Sequence, residues 1–472
     1  MRFSKHFGLG KSQPELDFVD IDPMRDTRLF IDPYAIEIKD DEWSGTCGDH
    51  IRSFFQEVLD ALKAGDTNRA ESLVSHLHEP RETYLGLSKG RPKGRGVGDE
   101  QGGLLLNALR KSRAVATGVL SDLGEAELFV AGIGPDKVSD LTTNIIRGPL
   151  IKYTKSQCDL HGVLTKSVAH QPAWNVRTSR WESGYACLPV IRGKPVLLVP
   201  KYSVRRRLSL DSQEFYNHHM INYLQSEYQL GVAGLTHVFR KKITKKDVKA
   251  THPFIKDELA KFVSQHPEVL DRYKELKGAQ GALGIEDFEN DFDAAAFAQV
   301  LKVQLQNCPT GSGYASNYHS LMIGILTFLF YPHLIYPIKE KEIHEGRKRV
   351  DIVFTNAAID GFFHTMLVAP QTRSTHVPIE CKNYTYDIGN PEFDQISSRF
   401  GHQRGFLGFL TCRTDGRREK TIQTCRDTAS DGRGFVIVLT DNDLVKLLDF
   451  AGLEDQKAFK RYLQRRYDEL VL

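Results

Sequence analysis

Two short stretches in the last third of the chain hold residue types that can do chemistry together. The first is Gly346-Arg-Lys-Arg-Val-Asp351-Ile-Val-Phe354. It places a carboxylate at the head of an apolar run, just after the basic residues Arg347, Lys348 and Arg349. The second is Val377-Pro-Ile-Glu380-Cys-Lys382-Asn-Tyr384. On a strand, positions 380 and 382 point to one face. A Glu and a Lys aimed together at one side are awkward for a core, because unpaired buried charge is expensive. They become reasonable around a hard cation. Mg²⁺ takes oxygen ligands, and two carboxylates plus a substrate phosphate suit it. Binding to such a cation lowers the pKa of a water molecule and stabilises charge on phosphoryl oxygens. A nearby ammonium adds to that stabilisation in the transition state. Asp351, Glu380 and Lys382 are therefore a minimal phosphodiester-hydrolysing set. The plainer alternative is an exposed edge strand with an ordinary Glu/Lys face.

Asp351 followed by Glu380-x-Lys382 on the next core strand resembles the PD-(D/E)xK nuclease superfamily. The segments His402-Gln-Arg404-Gly-Phe-Leu-Gly-Phe-Leu-Thr-Cys412 and Gly434-Phe-Val-Ile-Val-Leu-Thr-Asp441-Asn-Asp-Leu444, with a helix from Arg417 between them, resemble the tail of Mrr-type restriction endonuclease domains. The likeness covers residues 315–450. It implies a restriction-endonuclease-like αβββαβ core and metal-dependent cleavage of DNA, with Mg²⁺ as cofactor and Mn²⁺ as a substitute. It also implies that Asp351 and Glu380 are metal ligands, that Lys382 is the catalytic lysine and that Gln395 is a supporting polar residue. Three departures stand out. Glu380 lies 29 positions after Asp351, so an insertion sits between them, with a strand of its own expected at Phe362–Ala369. No Pro precedes Asp351. The first helix offers His319 where many members carry an acid. Glu340, Glu342 or Glu345 must then substitute, with Glu345 taken as the third ligand, or no residue does.

The elements that must position these residues follow from periodicity. Helices are expected at Ala294–Asn307 and Ser316–Phe330, the second broken by Tyr331-Pro332. Strands follow at Ile335–Ile343, Arg349–Thr355, Val377–Asn383, Phe406–Cys412 and Phe435–Leu439. Helices near 391–400, 417–429 and 441–450 alternate with the later strands, which implies a mixed sheet flanked by helices. The fold class is α+β, with a nuclease domain at 294–472 and a larger, mainly helical recognition or sensor region of unassigned fold at 1–290. A Gly-rich stretch, Gly278–Gly284, and acids from Glu286 to Asp293 mark the boundary. In the first region Leu16–Asp22 and Leu29–Asp32 read as strands ended by Asp-Pro turns. Ile51 to Leu62 reads as a helix stopped by Gly65, and Gly134-Pro-Asp136 as a helix start. Arg192-Gly-Lys194 reads as a hairpin turn, 247–276 as helical, and Gly86–Gly103 as a basic, Gly-rich loop. Asp17, Asp20 and Asp22 could bind a metal, but Asp-Pro turn chemistry explains Asp22 and Asp32 more simply.

Composition narrows the functional classes. The 472 residues carry a formal charge of only +3, so any nucleic-acid surface must come from local clustering. Residues 201–250 hold ten basic and four acidic side chains, and Arg205, Arg206 and Arg207 are the expected phosphate contacts, together with Arg347, Lys348 and Arg349. The longest apolar run, Leu321–Tyr331, is too short to span a membrane, and the start of the chain lacks the apolar stretch of a secretory signal. Seven scattered cysteines form no Cys-x-x-Cys pair, which fits a reducing cytoplasm. The chain has no P-loop, no dinucleotide fingerprint and no Gly-x-Ser-x-Gly. The expectation is a magnesium-dependent endodeoxyribonuclease of bacterial antiviral or restriction-type defence. Its partners would be DNA, a second copy of the chain, and a protein or small trigger on the N-terminal region. The rival reading keeps the nuclease fold as an inactive nucleic-acid-binding scaffold.

Overall fold

A computed structural model of the protein describes residues 1–86, 98–118, 120, 122–233, 243–339 and 352–472. Asp351, Glu340, Glu342, Glu345, Arg347, Lys348 and Arg349 lie outside the described residues. So do Arg240, Lys241, Lys242 and the basic residues of the Gly86–Gly103 segment.

The chain is a mixed α+β protein, and its C-terminal part carries the largest sheet. Helix α1 (Ala294–Asn307) starts where the Asp293 side chain accepts from the Ala296 N–H at 2.9 Å. Helix α2 (Ala315–Phe330) ends before Tyr331-Pro332. Strands β1 (Leu334–Ile338), β2 (Ile352–Asn356), β3 (His376–Lys382), β4 (Leu407–Cys412) and β5 (Phe435–Thr440) form one five-stranded sheet in the order β5-β4-β3-β2-β1. The pairs β1–β2 and β2–β3 are antiparallel, whereas β3–β4 and β4–β5 are parallel. Each parallel step is bridged by a helix, α4 (Asn390–Ser397) and then α5 (Arg418–Ser430). All six residues of β4 are buried, as an apolar run covered on both faces requires.

Alternation along β4 sorts the layers. Phe409 faces α2, its ring 5.6 Å from Phe330. Gly408 faces α4, where an added Cβ would lie 2.8 Å from the Phe400 ring and 3.0 Å from Ile396, so only glycine lets that helix approach. Helix α3 (Gly361–Val368) occupies the insertion between β2 and β3. A strand was expected there, but buried Phe362, Phe363 and Met366 have helical spacing, and the Phe363 ring packs on Phe330 and Phe409. Helix α6 (Asp441–Gly452) opens on a capping box between Thr440 and Asp443. Helix α7 (Gln456–Val471), not foreseen from sequence, closes the chain, and its Tyr462 hydroxyl donates to Asp443.

The N-terminal part is mainly helical. Its long helix Glu42–Lys63 is capped by Asp41 and stops at Gly65 (φ +70°), and Pro135–Ile145 follows Gly134, both as read from sequence. The Asp-Pro segments are not paired strands of any length. Only Phe30–Ile31 pairs, with Val204 and Arg205, and Leu16–Asp22 has a single bridge from Phe18 to Pro200. Side chains take the place of ladder bonds there: Gln13 accepts the Asp20 N–H at 2.7 Å and Asp20 accepts the Ser4 N–H at 2.8 Å. Residues 98–103, expected as the end of a loop, instead open the helix Gly98–Lys111. The longest hairpin, Lys166–Asn175 with Arg180–Leu188, was not anticipated, and its Trp174 and Trp181 rings pair at 5.5 Å. The small hairpin Val190–Ile191 with Lys194–Pro195 is where Arg192-Gly193 predicted it.

Two apolar cores result. One runs from Phe3 to Tyr273 and takes in Tyr331 and Ile335, and the other runs from Ala298 to Leu470 and takes in Leu160. They meet along edge strand β1. Asp17, fully enclosed, accepts from the Tyr153 hydroxyl at 2.7 Å and from the Tyr336 N–H of β1 at 3.0 Å. Tyr336 has φ +54° and sits where the β1–β2 register shifts. Gln157 donates to the Pro337 carbonyl at 3.0 Å. At Gly324 of α2 an added Cβ would stand 2.7 Å from Glu15, so the N-terminal segment lies directly on that helix. Among the described residues no helix is long and apolar enough to cross a membrane.

Burial, then the nearby acids Asp136, Glu79 and Asp26, push the Asp140 carboxyl up to about 8. A carboxyl raised on folding adds stability that is fully present below its ordinary range near 3.9 and is lost as pH rises through the folded value. Asp140→Asn removes that loss. Urea titrations at pH 5, 6.5 and 8 should show the variant gaining on wild type as pH rises, and a pH-independent difference would mean that Asp140 titrates normally.

Candidate functional site

Glu380 and Lys382 end the central strand β3, side by side on one face. Hydrogen bonding across parallel β4 fixes this end of the strand, with Leu410 opposite Glu380 and Cys412 opposite Lys382. Glu380 is fully buried and the Lys382 side chain is 11% exposed. The Lys382 Nζ lies 3.4 Å from Glu380 Oε2. Gln395, from α4, closes the triangle: its Nε2 donates to Glu380 Oε2 at 2.9 Å and its Oε1 accepts from Lys382 Nζ at 2.9 Å. Only this amide orientation satisfies both a carboxylate and an ammonium. The arrangement sets a carboxyl group and an amine side by side at the rim of a core, with each oriented by the same side chain. The structure thus brings Glu380, Lys382 and Gln395 together.

On the neighbouring strand, Ile352 pairs with Ile379. Ile352 follows Asp351 in the chain and Ile379 precedes Glu380. Among the described residues no group of three His, Cys, Asp or Glu could hold a metal ion. Of the expected ligand set, Glu380 alone falls within them. A cleft of about 1260 Å³ runs beside β1 and β2, and His319, Tyr336, Val353, Thr355 and His376 are among its walls. His319 therefore faces this cleft.

The next residues lock the strand end in place. Asn383 donates to the Pro309 and Gly311 carbonyls, both at 3.0 Å, and accepts from Arg413 at 3.0 Å. Arg413 also donates to Asp441 at 2.7 Å and lies 5.1 Å from the centre of the Tyr318 ring. Burial pushes the Asp441 carboxyl up to about 6, against the pull of Arg413. The sequence marks Asp441 as part of a closing motif but not its partner, because Arg413 lies 28 residues away and carries no local signal.

The basic run at 205–207 is not the surface expected of it. Arg205 is buried, and its guanidinium donates to the carbonyls of Tyr202 at 3.0 Å, Val204 at 2.8 Å and Gly281 at 3.0 Å. Arg206 is exposed but pairs with Asp287 at 3.1 Å, which leaves Arg207 as the exposed member of the run with no ion pair among the described residues. Lys201 is also internal, its Nζ 4.2 Å from the Tyr331 ring centre, and burial lowers its pKa to about 8. The sequence balance of 201–250 counted charges that the fold turns inward.

Residues 8–211 match a family described as Domain of unknown function (DUF8370). No curated protein and no solved structure matches the chain. The matched span stops well before the five-stranded sheet.

Arg413 is a buried cation that meets Asn383, Asp441 and the Tyr318 ring and also donates to the Leu305 carbonyl at 3.3 Å, so Arg413→Ala should strand Asp441 and Asn383. The expected loss is roughly 3–5 kcal/mol. Chemical denaturation would measure it, and a loss under about 1 kcal/mol would show that the strand end does not depend on this residue.

Proposed function

We propose that the protein is a metal-dependent endonuclease that hydrolyses phosphodiester bonds of DNA, with its site at the end of β3. The observation that carries this reading is the Glu380–Gln395–Lys382 triangle on a central strand. A fully buried carboxylate beside an ammonium, both fixed by one amide, is an expensive arrangement for a purely structural role. The sheet order and the β3-α4-β4 crossover fit the αβββαβ core that the PD-(D/E)xK resemblance implies.

The donor chemistry fits Mg²⁺, with Mn²⁺ as a substitute. Glu380 and Asp351 would hold the ion, with Glu345 as a third ligand. The ion would supply a more acidic water and charge neutralisation at the phosphate. Lys382 orients the attacking water or meets the charge that builds on the phosphoryl oxygens. Gln395 keeps the Lys382 ammonium and the Glu380 carboxylate in fixed orientation. Arg347, Lys348, Arg349 and Arg207 would contact the backbone. A DUF8370 region joined to such an effector suits defence against foreign DNA, with a trigger acting on the N-terminal part and a second copy supplying cleavage of the other strand.

Incubation of plasmid DNA with the full chain and Mg²⁺ tests this. Wild type should cut, whereas Asp351→Ala, Glu380→Ala and Lys382→Ala should each lose cleavage while remaining folded. Lys382→Ala should still bind Mn²⁺ by calorimetry, because lysine is not a ligand. Gln395→Ala should retain cleavage at roughly a tenth to a hundredth of the wild-type rate, as expected for a partner that orients reacting groups. Full activity in Lys382→Ala would overturn the assignment, and absence of cleavage by wild type would favour the inactive scaffold.

A further inference from the structure

The chain leaves β3 through Asn383-Tyr384-Thr385-Tyr386-Asp387. The rings of Tyr384 and Tyr386 stack there, with centroids 4.7 Å apart and planes 20° from parallel. Tyr384 is half-buried, with its hydroxyl on Glu392 of α4, and it feels the charge of Lys382. Glu392 is itself fixed by the Gly389 N–H at 2.9 Å. Tyr386 is 65% exposed, among the most exposed large side chains of the protein. A tyrosine this open, braced from behind by a second ring, keeps a flat face in solvent. The next residue, Asp387, accepts the Gly416 N–H at 2.9 Å and lies 3.9 Å from Arg417, whose side chain is 73% exposed. An open aromatic face thus follows the site lysine by four residues, with an exposed guanidinium beside it on the separate segment that leads into α5.

Aromatic faces beside cations are the elements by which proteins hold unpaired nucleotides. Any base can stack on them, and the cation follows the backbone. A base inside a paired duplex has no free face to offer. We infer that Tyr386, braced by Tyr384, stacks an unpaired base next to Lys382, so that the protein engages single-stranded DNA, or a gap or flap in a duplex, in preference to fully paired DNA. The inference rests on the nuclease reading for its substrate but makes a separate claim about binding.

The test is equilibrium binding by the full chain in EDTA. The probes are a labelled single strand of about 20 nucleotides, a gapped duplex and a fully paired duplex of the same sequence. Tyr386→Ala should weaken binding to the single strand and the gapped duplex about 5- to 100-fold and leave the paired duplex unchanged. Tyr386→Phe should bind as wild type, since stacking needs the ring and not the hydroxyl. Unchanged single-strand affinity in Tyr386→Ala would overturn the inference, as would an equal loss on all three probes. Tighter, Tyr386-dependent binding of single-stranded RNA would overturn the choice of DNA. Cleavage of the same probes in Mg²⁺ separates the two claims. If wild type cuts nothing while the Tyr386-dependent binding persists, the nuclease reading fails and the platform stands. If wild type cuts and Tyr386→Ala binds and cuts all three probes alike, the platform fails and the nuclease reading stands.

Discussion

A carboxylate sealed inside a protein must be answered by donors, and Asp17 shows how much can hang on that requirement. Burial pushes its pKa up, while the Tyr153 hydroxyl, the charge of Lys201 and the Tyr336 N–H pull it back. Two of these groups belong to the N-terminal core, and the third is the backbone of edge strand β1. Asp17 therefore joins the two cores through the first strand of the sheet. Tyr336 accepts an unusual backbone conformation there, with its ring 5.3 Å from that of Tyr153. The sheet inherits its edge position from this junction, and β2 and β3 pair onward from that edge.

Much of the C-terminal part was legible in sequence because its signals are local. Both opening helices, five strands and three later helices stand near their expected places, while the parts of the first two strands expected at 340–343 and 349–351 lie outside the described residues. Apolar runs bounded by Gly and Pro, together with helix caps, need no distant partner to be read. Glu380 and Lys382 could be placed on one face by strand alternation alone, and Gln395 by the resemblance to Mrr-type domains. The failures share one cause. Arg205 and Lys201 looked like surface charge because sequence does not show which carbonyls or rings will surround a cation. The insertion was read as a strand because Phe362-Phe363 is as apolar as a strand, and its helical period is only two turns long.

The N-terminal part was less legible for a related reason. Its Asp-Pro segments use side chains in place of a ladder, so strand-like composition did not become strand. The large hairpin at Lys166–Leu188 alternates weakly and keeps polar residues on its outer face, so its pattern falls below what periodicity detects. Tyr384 and Tyr386 stand beside the key lysine in sequence. What marks them is a stacked geometry and an exposed face, which no spacing rule reports.

The order of the strands has a kinetic meaning. In β5-β4-β3-β2-β1 every strand lies beside its neighbour in sequence, so the sheet can be built by successive short-range closures. The Asp17–Tyr336 contact spans 319 residues, and its loop-closure entropy is met only once both cores exist. Docking of the two parts is then the late step of folding. A chain emerging from the ribosome would complete the matched family region before the strand that receives it has been synthesised.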